Sequence, residues 1–267
     1  MAGPVRTEGV VLRSIRYGEA DRIVHLYTPR RGRVSAIAKG ARRARSRFGG
    51  RLEPFFRLEL ILHEGRSELL TVTGAETITG HPRLRTDARA LDAAARACDA
   101  VARLFDTDEA HPAVYNLLCH ELALLDARAG APGAADEAHA GAPSAAQNAH
   151  ACSPGATQEI HANQLAFRLK LLLAAGLAPQ LGACASCGAR EHLTGFSGAA
   201  GGVVCAACEA NSFPLDEAAH AFMTGALGAP LAAAPVAPER ALRQAERAVA
   251  ETLEHHAGVR LRTAAPG

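Results

Sequence analysis

Two Cys-x-x-Cys pairs, Cys184-Ala-Ser-Cys187 and Cys205-Ala-Ala-Cys208, stand 17 residues apart. Each pair can close a tight turn that aims two sulfurs at one point, and the length between them suits a short hairpin that brings the turns together. Four thiolates in a tetrahedral cage favour zinc and leave no open position for water or substrate. The expectation is therefore one structural Zn2+ held by Cys184, Cys187, Cys205 and Cys208, on a hairpin over 184–208 with glycines at its turn. The bland alternative is a pair of redox motifs or idle buried thiols. A thioredoxin-like site needs one pair opening a helix after a strand, which this spacing does not resemble. Cys98 and Cys119 fall on predicted helices and read as core, while Cys152 lies in a stretch of low complexity.

The rest of the chain changes hydrophobic period once. Over the first 80 residues the signals are short strands: 9–15, 21–28, 33–38, 55–63 and 69–78, separated by turns such as Tyr17-Gly18-Glu19 and Pro29-Arg30-Arg31-Gly32. The clearest alternation is Phe56, Leu58, Leu60 and Leu62 against Arg57, Glu59, Ile61 and His63. Five short strands in so few residues fit a small closed barrel better than a sandwich. Beyond residue 80 the period becomes helical. One amphipathic helix is expected over 83–105, with Leu84, Leu91, Ala95, Cys98, Val101, Ala102 and Phe105 on its apolar side. Further helices are expected over 112–128, 158–175, 215–226 and 238–256. The Ala-, Gly-, Pro- and Ser-rich segment 130–157 has no long apolar run and reads as a disordered insertion. The fold class is thus α+β, with a barrel domain over 1–80 and a helical domain over 81–267 that carries the cysteine hairpin.

A formal net charge of +2 hides an asymmetry: residues 1–80 carry +7, 81–183 carry −3 and 184–267 carry −2. A basic first third points to a polyanionic partner. The same arginine bias, beside so much alanine, is also what genomic base composition alone would produce. The charge is densest from Lys39 to Arg51, where Lys39, Arg42, Arg43, Arg45, Arg47 and Arg51 supply six cations in 13 residues with no acid. Such a segment between two strands releases counterions when it meets phosphates, giving salt-sensitive binding that ignores sequence. Single-strand binders usually add aromatic stacking, for which Tyr17, Tyr27 and Phe48 are the nearby candidates. Taken alone, an arginine run is more often a solvated surface than a site.

Signals for catalysis are poor. Neither Lys39 nor Lys170 follows glycine as a Walker lysine would, and His120-Glu121 has no second histidine at zincin spacing. Gly195-Phe-Ser197-Gly-Ala199 lacks the second glycine of a nucleophile elbow, and His255-His256 reads as a helix end. No catalytic residue is assigned, and the expectation is a protein that is not an enzyme. No apolar run reaches the length of a membrane span, and Met1-Ala-Gly-Pro-Val-Arg lacks the apolar core of a signal peptide, so the cytoplasm is the expected address.

Several of these segments, in this order, resemble the bacterial RecO family over nearly the whole chain. They are Thr7-Glu8-Gly9-Val10-Val11-Leu12, Tyr17-Gly18-Glu19-Ala20-Asp21-Arg22, Ala38-Lys39-Gly40-Ala41-Arg42-Arg43, Ser46-Arg47-Phe48 and Leu52-Glu53-Pro54-Phe55. Phe167-Arg168-Leu169-Lys170-Leu171-Leu172 before the cysteines, and Gly195-Phe196-Ser197 between them, fit the same pattern. The resemblance implies an N-terminal OB-fold, a helical C-terminal domain and a zinc site within it. It implies a mediator of recombinational repair that binds single- and double-stranded DNA, anneals complementary strands and helps RecA onto DNA coated with single-strand-binding protein. Implied partners are RecR and the acidic, apolar C-terminal tail of single-strand-binding protein, in the cytoplasm and at the nucleoid during repair. A pocket for that tail would want Arg128, Arg168 and Lys170, the basic residues near the central helices, though ordinary exposed faces explain them equally well. An adaptor working mainly through protein contacts of the helical domain is the alternative. The segment 130–157 departs from the family's pattern.

Overall fold

A computed structural model of the chain describes residues 3–65, 69–129 and 154–262, and the expected insertion falls mostly outside them. The N-terminal strands are β1 (Val5–Tyr17), β2 (Asp21–Thr28), β3 (Gly32–Ala38), β4 (Arg57–His63) and β5 (Leu70–Thr79). They close in the order β1-β2-β3-β5-β4, antiparallel except where β3 meets β5, which makes the barrel OB-like. Leu58, Leu60 and Leu62 of β4 point inward with Val11, Val24, Leu26, Val34 and Val72, so the alternation read in the sequence is the barrel core. β4 begins two residues later than expected. Phe55 is left-handed at φ 74, and β1 pairs with this irregular corner through Phe55 N to Val11 O (2.8 Å) and Val11 N to Phe56 O (2.9 Å).

Next come a 3-10 turn (Arg83–Arg85), α1 (Ala88–Leu104), α2 (Pro112–Arg128) and α3 (Pro154–Ala174). The single helix expected over 83–105 is broken at Thr86, because Asp87 takes an extended backbone and its carboxylate accepts from Arg89 N and Ala90 N. A cap of this kind starts a new helix and resets its phase. The buried stripe of α1 is consequently Ala90, Ala93, Ala94, Ala97, Cys98 and Val101, and Leu91 is exposed rather than in the core. α3 begins at Pro154, four residues inside the segment expected to be disordered, since a proline with fixed φ suits a helix's first turn. It ends before Gly176, at φ 72. The chain finishes with a small sheet, β6 (Leu193–Ser197), β7 (Gly202–Cys205) and β8 (Phe213–Pro214), then α4 (Glu217–Gly228) and α5 (Glu239–Ala257). β8 spans two residues, too short to leave a periodic signal.

The barrel and helices share a seam. Val10, Leu12 and Tyr27 face out of the barrel into the helical core. Glu8 accepts from Arg57 (2.7 Å) and from the Tyr115 hydroxyl of α2 (3.1 Å), and Arg33 N donates to Thr107 O (2.9 Å). Within the helices one buried group works against stability. Glu121 of α2 is fully buried and accepts from Asn163 Nδ2 of α3, while its Oε1 has no partner among the described residues. Burial pushes its carboxyl up to about 8, with Asn163 and Arg128 opposing the shift. The folded state therefore keeps a neutral acid where the unfolded chain ionises, so stability falls as pH rises from about 4.5 to about 8 and levels off beyond. Glu121→Gln keeps a neutral hydrogen-bonding group. It is expected to flatten that dependence and raise Tm near pH 7.5 by about 3–8 °C, measured by thermal unfolding across pH.

Candidate nucleic-acid interface and metal centre

The basic segment Lys39–Arg51 joins β3 to β4 as a succession of turns. Its shape is set by its apolar residues: Ala41, Phe48 and Leu52 turn inward and join the barrel core. With these three anchored, the cations point out. Lys39, Arg42, Arg43, Arg45, Arg47 and Arg51 are all exposed. The first turn is tied to the β1–β2 turn by Arg42 N to Ala20 O (2.8 Å), Arg42 Nη1 to Gly18 O (3.2 Å) and Gly40 N to Asp21 Oδ1 (2.7 Å). The far end borders an open cleft of about 620 Å³ over β4 and β5, where Arg6, Arg47 and Arg51 face Ile61, Thr77 and the acids Glu59 and Glu76. Two of the aromatic candidates are not available for stacking. Phe48 is 1% exposed, plugging the barrel beneath the Arg47 guanidinium, and Tyr27 is 0% exposed at the helical seam. Tyr17 is 52% exposed.

The four cysteines converge. Their sulfurs all lie within 4.8 Å of one another, with Cys187 Sγ and Cys205 Sγ 3.6 Å apart. Ligands about 2.3 Å from a tetrahedral ion sit roughly 3.8 Å from each other, so the donor set fits one metal ion. Cys184 opens a knuckle in which Gly188 N returns to Cys184 O (2.8 Å), allowed by Gly188 at φ 78. Cys205 ends β7 and Cys208 closes the following 3-10 turn. The backbone N–H of Cys205, with those of Cys187 and Ser186, draws the Cys184 thiol down to about 6, whereas hydrogen bonding among the sulfurs, first with Cys187, holds Cys208 up to about 12. Four sulfurs this close cannot all ionise together unless a cation sits among them.

Glycine lets the knuckle dock. Gln180 N donates to Gly201 O and Val203 N to Gln180 O, both at 2.9 Å, so the chain runs directly over Gly202. A Cβ on Gly202 would lie 2.3 Å from Gln180 O. Gly202→Ala is expected to cost about 1–3 kcal/mol, read as a lowered denaturant midpoint without a change in slope. The small sheet also rests on α5: His256 Nε2 lies 2.8 Å from Gly198 O at the hairpin tip, and Arg247 stacks 4.1 Å from the Phe213 ring of β8.

Arg128, Arg168 and Lys170 do not form one open basic pocket. Arg168 is 6% exposed, held between Glu246 of α5 (3.4 Å) and the backbone oxygen of Arg262 (2.6 Å). Lys170 Nζ donates to Leu227 O of α4 (3.3 Å), and Arg128 is half-buried with Nη1 unpartnered among the described residues. Helical spacing sends positions 168 and 170 to different neighbours. Arg168 does border a small cleft of about 190 Å³ with Val249, Leu253, Leu261 and the paired Glu254 and Arg260.

Two family models match this chain: "Recombination protein O N terminal" over residues 1–81 and "Recombination protein O C terminal" over 155–265. The chain belongs to the RecO family. The first match spans the barrel with its basic segment, and the second runs from α3 through all four cysteines to α5. Relatives are similar along almost their full length. The DNA repair protein RecO of Anaeromyxobacter sp. (strain K) is 36% identical over 266 residues, covering 96% of this chain and 93% of that protein. The DNA repair protein RecO of Rubrobacter xylanophilus is 35% identical, covering 94% and 90%. That of Thermobifida fusca is 34% identical, covering 94% and 93%. Among the described residues no helix of this RecO-family chain is long and apolar enough to cross a membrane.

Proposed function

We propose that this chain is a DNA repair protein that mediates recombination, binding single- and double-stranded DNA through the barrel and annealing complementary strands. The observation that carries this reading is the basic segment itself: six cations all exposed, held outward by an apolar plug, on an OB-like barrel. Lys39, Arg42, Arg43, Arg45, Arg47 and Arg51 grip phosphates by charge and leave bases unread. Annealing needs such a grip, because tight contacts to pairing edges would compete with pairing. The reading includes assistance to RecA on DNA coated with single-strand-binding protein, RecR as a partner, and no catalysis.

Cys184, Cys187, Cys205 and Cys208 would hold Zn2+ as a closed structural ion. Bound there, it would supply charge neutralisation and a cross-link, with no position left for a reactant. The knuckle, Gln180 and α5 do the positioning around it.

An adaptor role is favoured by one separate observation. The cleft beside Arg168 sets Leu253 and Leu261 next to Arg260, an apolar wall that suits the apolar part of the tail of single-strand-binding protein, while the rim cation Arg260 is paired with Glu254 and would have to exchange that partner for the tail's acids. Annealing of complementary labelled oligonucleotides, with and without single-strand-binding protein, tests both readings. Acceleration on bare DNA supports the barrel as the working part. Acceleration only on coated DNA, abolished by free tail peptide, supports the adaptor. No acceleration in either case contradicts both.

A further inference from the structure

The face of the barrel beyond the basic segment has features that a phosphate grip alone does not use. Tyr17 ends β1 at the β1–β2 turn and is 52% exposed. Behind it, pairing register lines up Ile15 with Ile23 and Ile23 with Ile37, three half-buried isoleucines in one row across the outer face of β1, β2 and β3. The Tyr17 ring is open to water and the isoleucines beside it are only partly covered, so a flat apolar ligand laid on Tyr17 would gain the burial that the fold leaves unused. The basic segment stands directly beside them. Arg42 Nη1 is bonded to the carbonyl of Gly18, the residue after Tyr17, and Lys39 follows β3 one position past Ala38.

We propose that Tyr17, backed by Ile15, Ile23 and Ile37, is a stacking platform for an unpaired base of single-stranded DNA whose phosphates lie on Lys39 and Arg42. The inference rests on the phosphate-binding reading above. Charge complementarity selects the occupant, because Lys39 and Arg42 border the platform, while Asp21 opposite Tyr17 is already occupied by Gly40 N and Glu19 is the one exposed acid of the turn. Bases within a duplex are already stacked on their neighbours, so only an unpaired base gains from Tyr17. Stacking uses the face of a base and leaves its pairing edge free, which keeps the platform compatible with annealing.

The chain has no tryptophan and three tyrosines, of which Tyr27 and Tyr115 are buried. A Tyr17→Trp variant of the full chain therefore carries a single reporter on the platform. Its emission is expected to be quenched by an oligo-dT strand and little affected by a duplex at equal occupancy, with occupancy read by anisotropy. Tyr17→Ala is expected to weaken single-strand binding about tenfold and leave duplex binding within about twofold, while Tyr17→Phe behaves as wild type. Equal quenching by both DNAs, or single-strand affinity unchanged in Tyr17→Ala, overturns the platform and leaves the basic segment standing. Loss of both affinities together assigns Tyr17 to folding or charge and overturns it as well. A reporter silent to DNA but altered by a protein partner gives the face to that partner instead. Wild-type protein that binds neither DNA overturns the phosphate reading itself.

Discussion

Changing Arg42, Arg43, Arg45 and Arg47 to glutamate is expected to weaken binding of a single-stranded oligonucleotide by about a hundredfold or more at low salt. It is also expected to flatten the dependence on salt. Each cation on a single strand releases about 0.7 of a counterion, so losing four removes roughly 3 from the slope of log affinity against log salt. The fold should survive, because these side chains are exposed and the segment is anchored by Ala41, Phe48 and Leu52. Unchanged far-ultraviolet dichroism and Tm would confirm that. Phe48→Ala makes a useful contrast. It removes no charge but empties the barrel's plug, costing about 3–5 kcal/mol and leaving the cations without a support. A quadruple variant that binds with wild-type slope would place the DNA elsewhere.

Replacing Cys184 or Cys205 with serine is expected to be strongly destabilising. Both sulfurs are buried, Cys205 ends β7, and the Cys184 knuckle is bonded to that strand through Ala185 N and Val203 O (2.8 Å). Loss of one ligand weakens the ion and releases the sheet that packs on α5. Tm is expected to fall by about 10 °C or more, since a structural zinc contributes several kcal/mol and each shifts Tm by about 2–4 °C in a chain of this size. A strong chelator should do the same to the wild type, and metal analysis should return one zinc per chain. DNA affinity, measured below the lowered Tm, should change little. A chain that is equally stable with its cysteines changed or its metal stripped would mean that the four sulfurs meet for another reason.

Much of the fold was legible because the strongest signals are local. Leu58, Leu60 and Leu62 alternate with polar neighbours, and period two puts them on one face of a strand whatever lies around it. The cysteine hairpin was equally plain, since spacing constrains which sulfurs can meet. The phase of α1 was missed: alanines carry little hydrophobic contrast, and the larger Leu91 falls on the exposed side once Asp87 caps a new helix. The burial of Phe48 and Tyr27 could not be told from exposure by residue type, because an aromatic residue serves equally as plug or platform. Arg168 was singled out by charge, but Glu246 and the C-terminal backbone that enclose it lie 78 and 94 residues away. A glutamate at position 121 gave no warning of its burial, beyond falling in phase with Leu118, Leu122 and Leu125.

The most direct test of the central claim is fluorescence anisotropy of a labelled single-stranded oligonucleotide, titrated with zinc-replete protein over a series of salt concentrations and in two base compositions. A phosphate grip of six exposed cations predicts a linear fall of log affinity with log salt, slope about −4, nearly the same for both sequences. Folded, metal-loaded protein that fails to bind at low salt, or binds with no dependence on salt, would contradict it.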